Sequence, residues 1–292
     1  MTLAAAVAEA ISTATGEPFA TPTLRPIGGG DIHQAFGASD GARHYFVKAN
    51  RAERLPMFEA EADALHALIA TRSVRAPQPL CSGAAAGQAF LVLEHLDLHG
   101  HGDAALLGAQ LAQLHRAPQA QFGWAHDNWI GSTPQPNGWQ HDWIAFWRQR
   151  RLGFQLERAA QNGYRGALQR DGEALMAGLE GFFSDYRPVP SLLHGDLWGG
   201  NHGYLADGTP VIFDPAAYVG DRECELAMTE LFGGVAPAFH AAYREAWPLD
   251  AGFAVRKTLY NLYHILNHAN MFGGGYAAQA QRMTAQLLAE LR

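Results

Sequence analysis

The chain has 292 residues, 48% of them hydrophobic and 17% charged, a balance that supports a large core in one or two domains and excludes a low-complexity chain. Its net charge of −7 has no basic stripe to offset it, which argues against nucleic acid as the main partner. No apolar run is long enough to span a bilayer and no basic segment leads an apolar one at the amino terminus, so neither a membrane partner nor export is expected. Cys81 and Cys224 are the two cysteines, too far apart in sequence for a metal-type pair. A reduced, cytoplasmic protein is expected.

In chain order, alanine-rich residues 3–11 predict a short helix, and Leu24 to Ile27 a strand entering Gly28-Gly29-Gly30-Asp31-Ile32-His33. Glycines let the backbone approach a ligand, and successive N–H groups in such a turn attract phosphate oxygens. By itself the loop reads as an ordinary hairpin turn, being neither G-x-x-x-x-G-K-[ST] nor G-x-G-x-x-G. Strands at Gln34 to Ala38 and Arg43 to Ala49 follow around Ser39-Asp40-Gly41. Lys48 closes the second. Only two of the 21 basic residues are lysines, Lys48 and Lys257, so a compact ammonium kept in mid-strand stands out. A helix is predicted over 55–70, with Phe58, Ala62, Leu65 and Ile69 on one face. Glu61 sits on it, either as partner to Lys48 or, with Glu59 and Asp63 beside it, as one more solvated carboxylate.

Strands at Leu80 to Ser82 and Gln88 to Leu93 run into Glu94-His95-Leu96, where a hinge between lobes would put backbone groups of Glu94 and Leu96 against an adenine edge. Residues 103–115 predict an amphipathic helix through Leu106, Leu107, Leu111 and Leu114. The stretch 122–137, with Pro134 and Pro136, predicts a loop long enough to reach over a cleft. Trp139, Trp143, Phe146 and Trp147 fall at i, i+4, i+7 and i+8, an aromatic band for the core or for a substrate wall. Helices are predicted near 222–232, 237–246, 251–270 and 276–291. His264 and His268 have metal spacing without the glutamate of H-E-x-x-H, and packing explains them better.

The chemistry concentrates in His194-Gly195-Asp196-Leu197-Trp198-Gly199-Gly200-Asn201 and Phe213-Asp214-Pro215. In phosphotransferases an Asp of H-x-D-x-x-x-x-N takes the hydroxyl proton, the Asn holds a metal, and an Asp after the next strand holds the metals that bridge the phosphates. Asp196, Asn201 and Asp214 have that order and spacing. With Lys48 and Glu61 they form a complete set for ATP and Mg2+, which counts against a non-catalytic nucleotide-binding module. Trp198, beside the candidate base, is placed to stack on a substrate or to support the loop from the core.

Together with Gly220-Asp221-Arg222-Glu223, Leu226-Ala227-Met228-Thr229-Glu230-Leu231-Phe232-Gly233-Gly234, Leu259-Tyr260-Asn261-Leu262-Tyr263-His264 and Asn267-His268, these segments resemble the fructosamine kinase (ketosamine-3-kinase) family. Met57-Phe58-Glu59-Ala60-Glu61 and Phe90-Leu91-Val92-Leu93-Glu94-His95-Leu96 extend the resemblance over nearly the whole chain. Such proteins look like distant relatives of protein kinases and aminoglycoside phosphotransferases. The resemblance implies an α+β, two-lobed fold: 1–95 as a small antiparallel-sheet lobe with one main helix, and 96–292 as a larger, mostly helical lobe. It also implies ATP-dependent phosphorylation at O3 of the sugar of free or protein-bound ketosamines, followed by breakdown of the product and release of the amine. The alternative is an aminoglycoside- or choline-type small-molecule kinase. Eukaryotic members often carry a cysteine in the glycine-rich loop that permits disulfide-linked dimers, whereas this loop reads Gly28-Gly29-Gly30-Asp31, so redox switching there is not expected; a monomer or weak dimer is expected.

Overall fold

The computed structural model describes residues 1–28, 32–233 and 235–291. Two compact units emerge: Met1–Asp103 with His202–Pro215, and Ala104–Asn201 with Ala216–Arg292.

The first unit begins with α1 (Leu3–Thr15), capped by the Thr2 hydroxyl, which accepts the Ala5 N–H, and ended by Gly16 in the left-handed region. The strands β1 (Arg25–Ile27), β2 (Gln34–Ser39) and β3 (His44–Arg51) come next, then α2 (Leu55–Ala70), β4 (Pro79–Ala85) and β5 (Gln88–Glu94). They form one antiparallel sheet in the order β1-β2-β3-β5-β4. Strand alternation decides what each side chain meets. Val47 packs with Val92, its cross-strand partner, and with Phe90 against Val7 and Ile11 of α1. Lys48, one residue on, therefore faces the other side, beside its neighbours Ala35 and Leu91, where α2 lies. The pattern had suggested that β4 ends at Ser82. It continues to Ala85 because Ala86 and Gly87 both take positive φ and close a tight hairpin, a turn that flanking alanines do not announce.

The hairpin His202–Tyr204 with Pro210–Ile212 belongs to this same unit. His99 exchanges backbone hydrogen bonds of 2.8 and 2.9 Å with Tyr204, and the Ile212 N–H donates to Arg75 O at 3.0 Å. Asp214 follows directly, so its position derives from this unit's pairing.

In the second unit the helix Ala104–His115 forms and buries Leu107, Leu111 and Leu114, but Leu106, expected on the same stripe, is exposed; the late helices are Arg222–Thr229, Pro237–Ala246, Phe253–Phe272 and Tyr276–Glu290. Trp143, Phe146 and Trp147 join Tyr218, Tyr260 and Tyr263 in one core. Trp139 departs from the expected band. It is 48% exposed and lies before the helix, which starts at Trp143 because the Asp142 carboxylate accepts the Ala145 N–H at 2.7 Å. Asp142→Ala should remove that cap and lower stability by about 1 kcal/mol in urea unfolding, with kcat unchanged. The 122–137 segment is likewise no free loop. It carries a short strand pair, Asn128–Ile130 with Thr133–Gln135, and anchors it through buried amides: Asn128 Nδ2 donates to Ala217 O at 2.7 Å, and Gln135 Nε2 to Ala216 O at 3.0 Å. His268 Nδ1 lies 2.8 Å from the carbonyl of His264 on its own helix, and burial pushes the His264 ring down to about 3, so it is neutral. Among the described residues no helix is long and apolar enough to cross a membrane.

Candidate active site

Lys48 is 5% exposed and Glu61 9%, whereas Glu59 and Asp63 are exposed, so the helix presents Glu61 inward as the partner of Lys48. Lys48 Nζ donates to Glu61 Oε1 at 2.5 Å and to Asp214 Oδ1 at 2.6 Å. Burial alone would drive the ammonium toward its neutral form. The Asp214 and Glu61 carboxylates more than reverse this, and the Lys48 pKa is raised. Burial, aided by Asp214, pushes the Glu61 carboxyl up while Lys48 opposes it. Asp214 has φ +59°, a left-handed backbone that aspartate tolerates better than most residues. Its side chain is 45% exposed, so it is the wetter of the two carboxylates.

At the end of the glycine-rich loop, Asn50 fixes the chemistry of His33. Asn50 Oδ1 accepts the Arg51 N–H at 2.8 Å, and Nδ2 lies 2.9 Å from both Ile32 O and His33 Nδ1. An amide nitrogen only donates, so Nδ1 is the acceptor and the ring hydrogen sits on Nε2. Burial and then Lys48 lower the His33 pKa to about 4, leaving a neutral donor. The sequence reading passed over this residue. Of the predicted loop glycines, Gly28 is exposed with open space around it, and Gly29 and Gly30 lie outside the described residues. Glu94 ends β5 with its carboxylate held by the Arg75 guanidinium and the Gln78 N–H, and Leu96 is half-buried just beyond. The Glu94 N–H donates to Gln78 O at 2.8 Å.

In the second unit, the strand Pro190–Leu193 pairs with Tyr218–Asp221 and runs straight into the His194–Asn201 loop. Gly195 has φ +85°, and a Cβ there would lie 2.1 Å from Ala216 O, so no other residue fits. Ala216 N–H donates to His194 O at 2.9 Å, locking the turn. Asn201 Nδ2 donates to Asp196 O at 2.9 Å and to Asp196 Oδ2 at 3.2 Å. This contact explains the five-residue spacing: the loop closes so that the Asn201 amide donates to the Asp196 carboxylate. Trp198 is 38% exposed.

Glu225 went unremarked in the sequence. Its two oxygens accept the backbone N–H groups of His194 (2.7 Å) and Gly195 (2.8 Å). The available signal was a glutamate followed by Leu226-Ala227-Met228 on a wholly buried helix. Nearby motif residues are scaffold: Asp221 accepts from Tyr186 (2.9 Å) and Tyr260 (2.5 Å), and Glu223 pairs with Arg256 at 2.7 and 3.1 Å.

The model of the family described as fructosamine kinase matches residues 3–290. The chain belongs to the fructosamine kinase family. A protein of Synechocystis named as a probable ketoamine kinase is 47% identical over 97% of this chain and 96% of its own length. A chloroplastic protein-ribulosamine 3-kinase of Arabidopsis thaliana is 40% identical over 91% of this chain and 82% of its own. A crystal structure from Haemophilus somnus, named as a candidate fructosamine-3-kinase, aligns with a TM-score of 0.88 at 29% identity over 97% of this chain and 96% of that one. The α+β architecture expected of the family, with an antiparallel sheet first and helices after, is the one observed.

Proposed function

We propose that this fructosamine kinase family member transfers the γ-phosphoryl group of ATP to O3 of the sugar of a ketosamine. The observation that carries the reading is the buried ammonium of Lys48 held between Glu61 and Asp214. A cation set so firmly beside a half-exposed carboxylate suits a phosphate chain and has little use in a plain scaffold.

Asp196 takes the proton of the 3-hydroxyl late in the transfer, oriented by Asn201 Nδ2. Lys48 neutralises the non-transferred phosphates, and Gly28, Gly29 and Gly30 cover them with backbone N–H groups. Backbone groups of Glu94 and Leu96 take the adenine edge. Asp214 and Asn201 offer an aspartate carboxylate and an amide carbonyl, the hard oxygen donors that Mg2+ accepts beside phosphate and water. Magnesium, when bound, offsets charge on the β- and γ-phosphates. The net charge of −7 favours an acceptor carrying a cationic amine, and the exposed indole of Trp198 offers a face to its sugar or amine. The product then breaks down and frees the amine, a deglycation repair. A cytoplasmic protein acting as a monomer or weak dimer completes the reading.

The test is ATP consumption with a panel of fructosyl- and ribulosyl-amines beside aminoglycosides and choline. Turnover confined to the ketosamines is expected; turnover on an aminoglycoside or choline alone would assign the chain to the other acceptor class.

A further inference from the structure

The loop that carries Asp196 rests on a chain of buried polar groups, Glu225, His115, Tyr243 and Arg222. Glu225 is buried and holds the His194 and Gly195 N–H groups. Burial opposes its ionisation, but the hydrogen bond from His115, with the His194 contacts, keeps its carboxyl below the ordinary value. A carboxylate only accepts, so the His115 Nε2 that lies 3.3 Å from Glu225 Oε2 carries the ring hydrogen. His115 Nδ1, 2.8 Å from the Tyr243 hydroxyl, then accepts the phenolic hydrogen. The phenol oxygen in turn accepts from Arg222 Nη1 at 3.3 Å. Arg222 is itself pinned by the carbonyls of Trp247 (3.1 Å) and Pro248 (2.6 Å) and by the Trp247 ring, 4.0 Å from its guanidinium carbon.

Every bond thus points one way, from Arg222 through Tyr243 and His115 to Glu225, where the loop's own N–H groups converge. Three helices contribute. His115 ends Ala104–His115, Tyr243 lies on Pro237–Ala246, and Arg222 and Glu225 share Arg222–Thr229. The first two helices cross so closely that a Cβ on Gly108 would lie 2.2 Å from Phe239 O, and this approach lets the imidazole reach the phenol. The carboxylate, bonded through both oxygens to the loop's N–H groups, takes a third bond on Oε2 from the imidazole, which ties its position to that of His115.

We infer that His115 and Tyr243 are positioning residues of the phosphotransfer reaction, acting through the Glu225 carboxylate on the His194-Gly195 turn and so on the direction of Asp196. The inference rests on the kinase reading above for its reaction and on the described hydrogen bonds for its geometry. Neither residue need touch a substrate.

Two variants test it, Tyr243→Phe, which removes one oxygen and keeps the ring, and His115→Gln, with the double variant. Each is assayed on folded protein for kcat and KM with a ketosamine and ATP, and amide hydrogen exchange is followed at His194 and Gly195. Each single variant should lower kcat about tenfold, since small misplacements of a catalytic group are costly, with KM for both substrates within about twofold. The two amides should exchange faster. The double variant should be no worse than His115→Gln alone, because the phenol acts only through the imidazole; a merely structural role would lower the melting temperature and leave kcat of the folded protein unchanged. Unchanged kcat and exchange in Tyr243→Phe, or additive losses, would overturn the inference. Should Tyr243→Phe not fold, His115→Gln carries the same kinetic and exchange readouts. Should the wild-type protein lack ketosamine turnover, the kinase reading fails by itself, while the exchange rates still decide whether the relay holds the loop.

Discussion

Replacing Asp196 with asparagine is expected to lower kcat by about three orders of magnitude while ATP binding stays within about threefold of the wild type. General-base removal typically costs about 10²- to 10⁴-fold. The substitution is isosteric, and the new amide can still offer its oxygen to Asn201 Nδ2, which lies 3.2 Å from Asp196 Oδ2. The turn beneath is held by Glu225 and Ala216 through backbone groups that do not change. Loss of activity through unfolding is therefore not expected, and the melting temperature should confirm it. Steady-state turnover with a ketosamine and calorimetric titration of ATP are the two measurements. Full turnover in this variant would remove Asp196 as the base and, with it, the role given to Asn201 as its orienting group.

How far the sequence revealed this arrangement differs from residue to residue. Lys48 was legible because its place on a predicted strand and a scarcity of lysine both singled it out. Glu61 was legible only with the later motif beside it, since Glu59 and Asp63 share its stretch of helix and burial alone separates them. The Asp196 to Asn201 spacing is local, a loop that closes on itself through one amide, and local geometry survives in a sequence pattern. Glu225 was not legible, because its partners are two backbone N–H groups thirty residues upstream, and backbone donors leave no mark on residue type. Trp139 misled for the complementary reason: helical spacing continued upstream, but Asp142 caps the helix and ends the register there. The buried amides Asn128 and Gln135 were read as loop because polar residues with prolines usually are; their partners are carbonyls at Ala216 and Ala217, far along the chain.

Lys48→Met should do two separable things, and a second substitution separates them. Without the ammonium, kcat with a ketosamine should fall by at least about 10²-fold and the KM for ATP should rise, since preorganised charge on the phosphates supplies most of the stabilisation in phosphoryl transfer. Stability should also fall, by about 3 kcal/mol, because Glu61 is left as a buried carboxylate without its cation. Asp214, 45% exposed at its side chain, adds little to that loss because water can take the place of Lys48 there. The sign of the pH dependence follows from burial and Asp214, which already push the Glu61 carboxyl up and lose their only opposition in the variant. A carboxyl whose folded pKa lies above its unfolded one binds more protons folded than unfolded, so stability falls as pH rises through that interval. The variant should therefore be least stable above it and recover toward acid pH, a trend visible in urea midpoints across a pH series. Adding Glu61→Leu replaces the second charge by an apolar side chain and should restore the midpoint and flatten the pH series, because two well-packed apolar groups can replace a buried ion pair at little cost. It should not restore turnover. Recovery of both stability and activity in the double variant would mean that the ion pair serves only the fold and that the phosphates are held elsewhere.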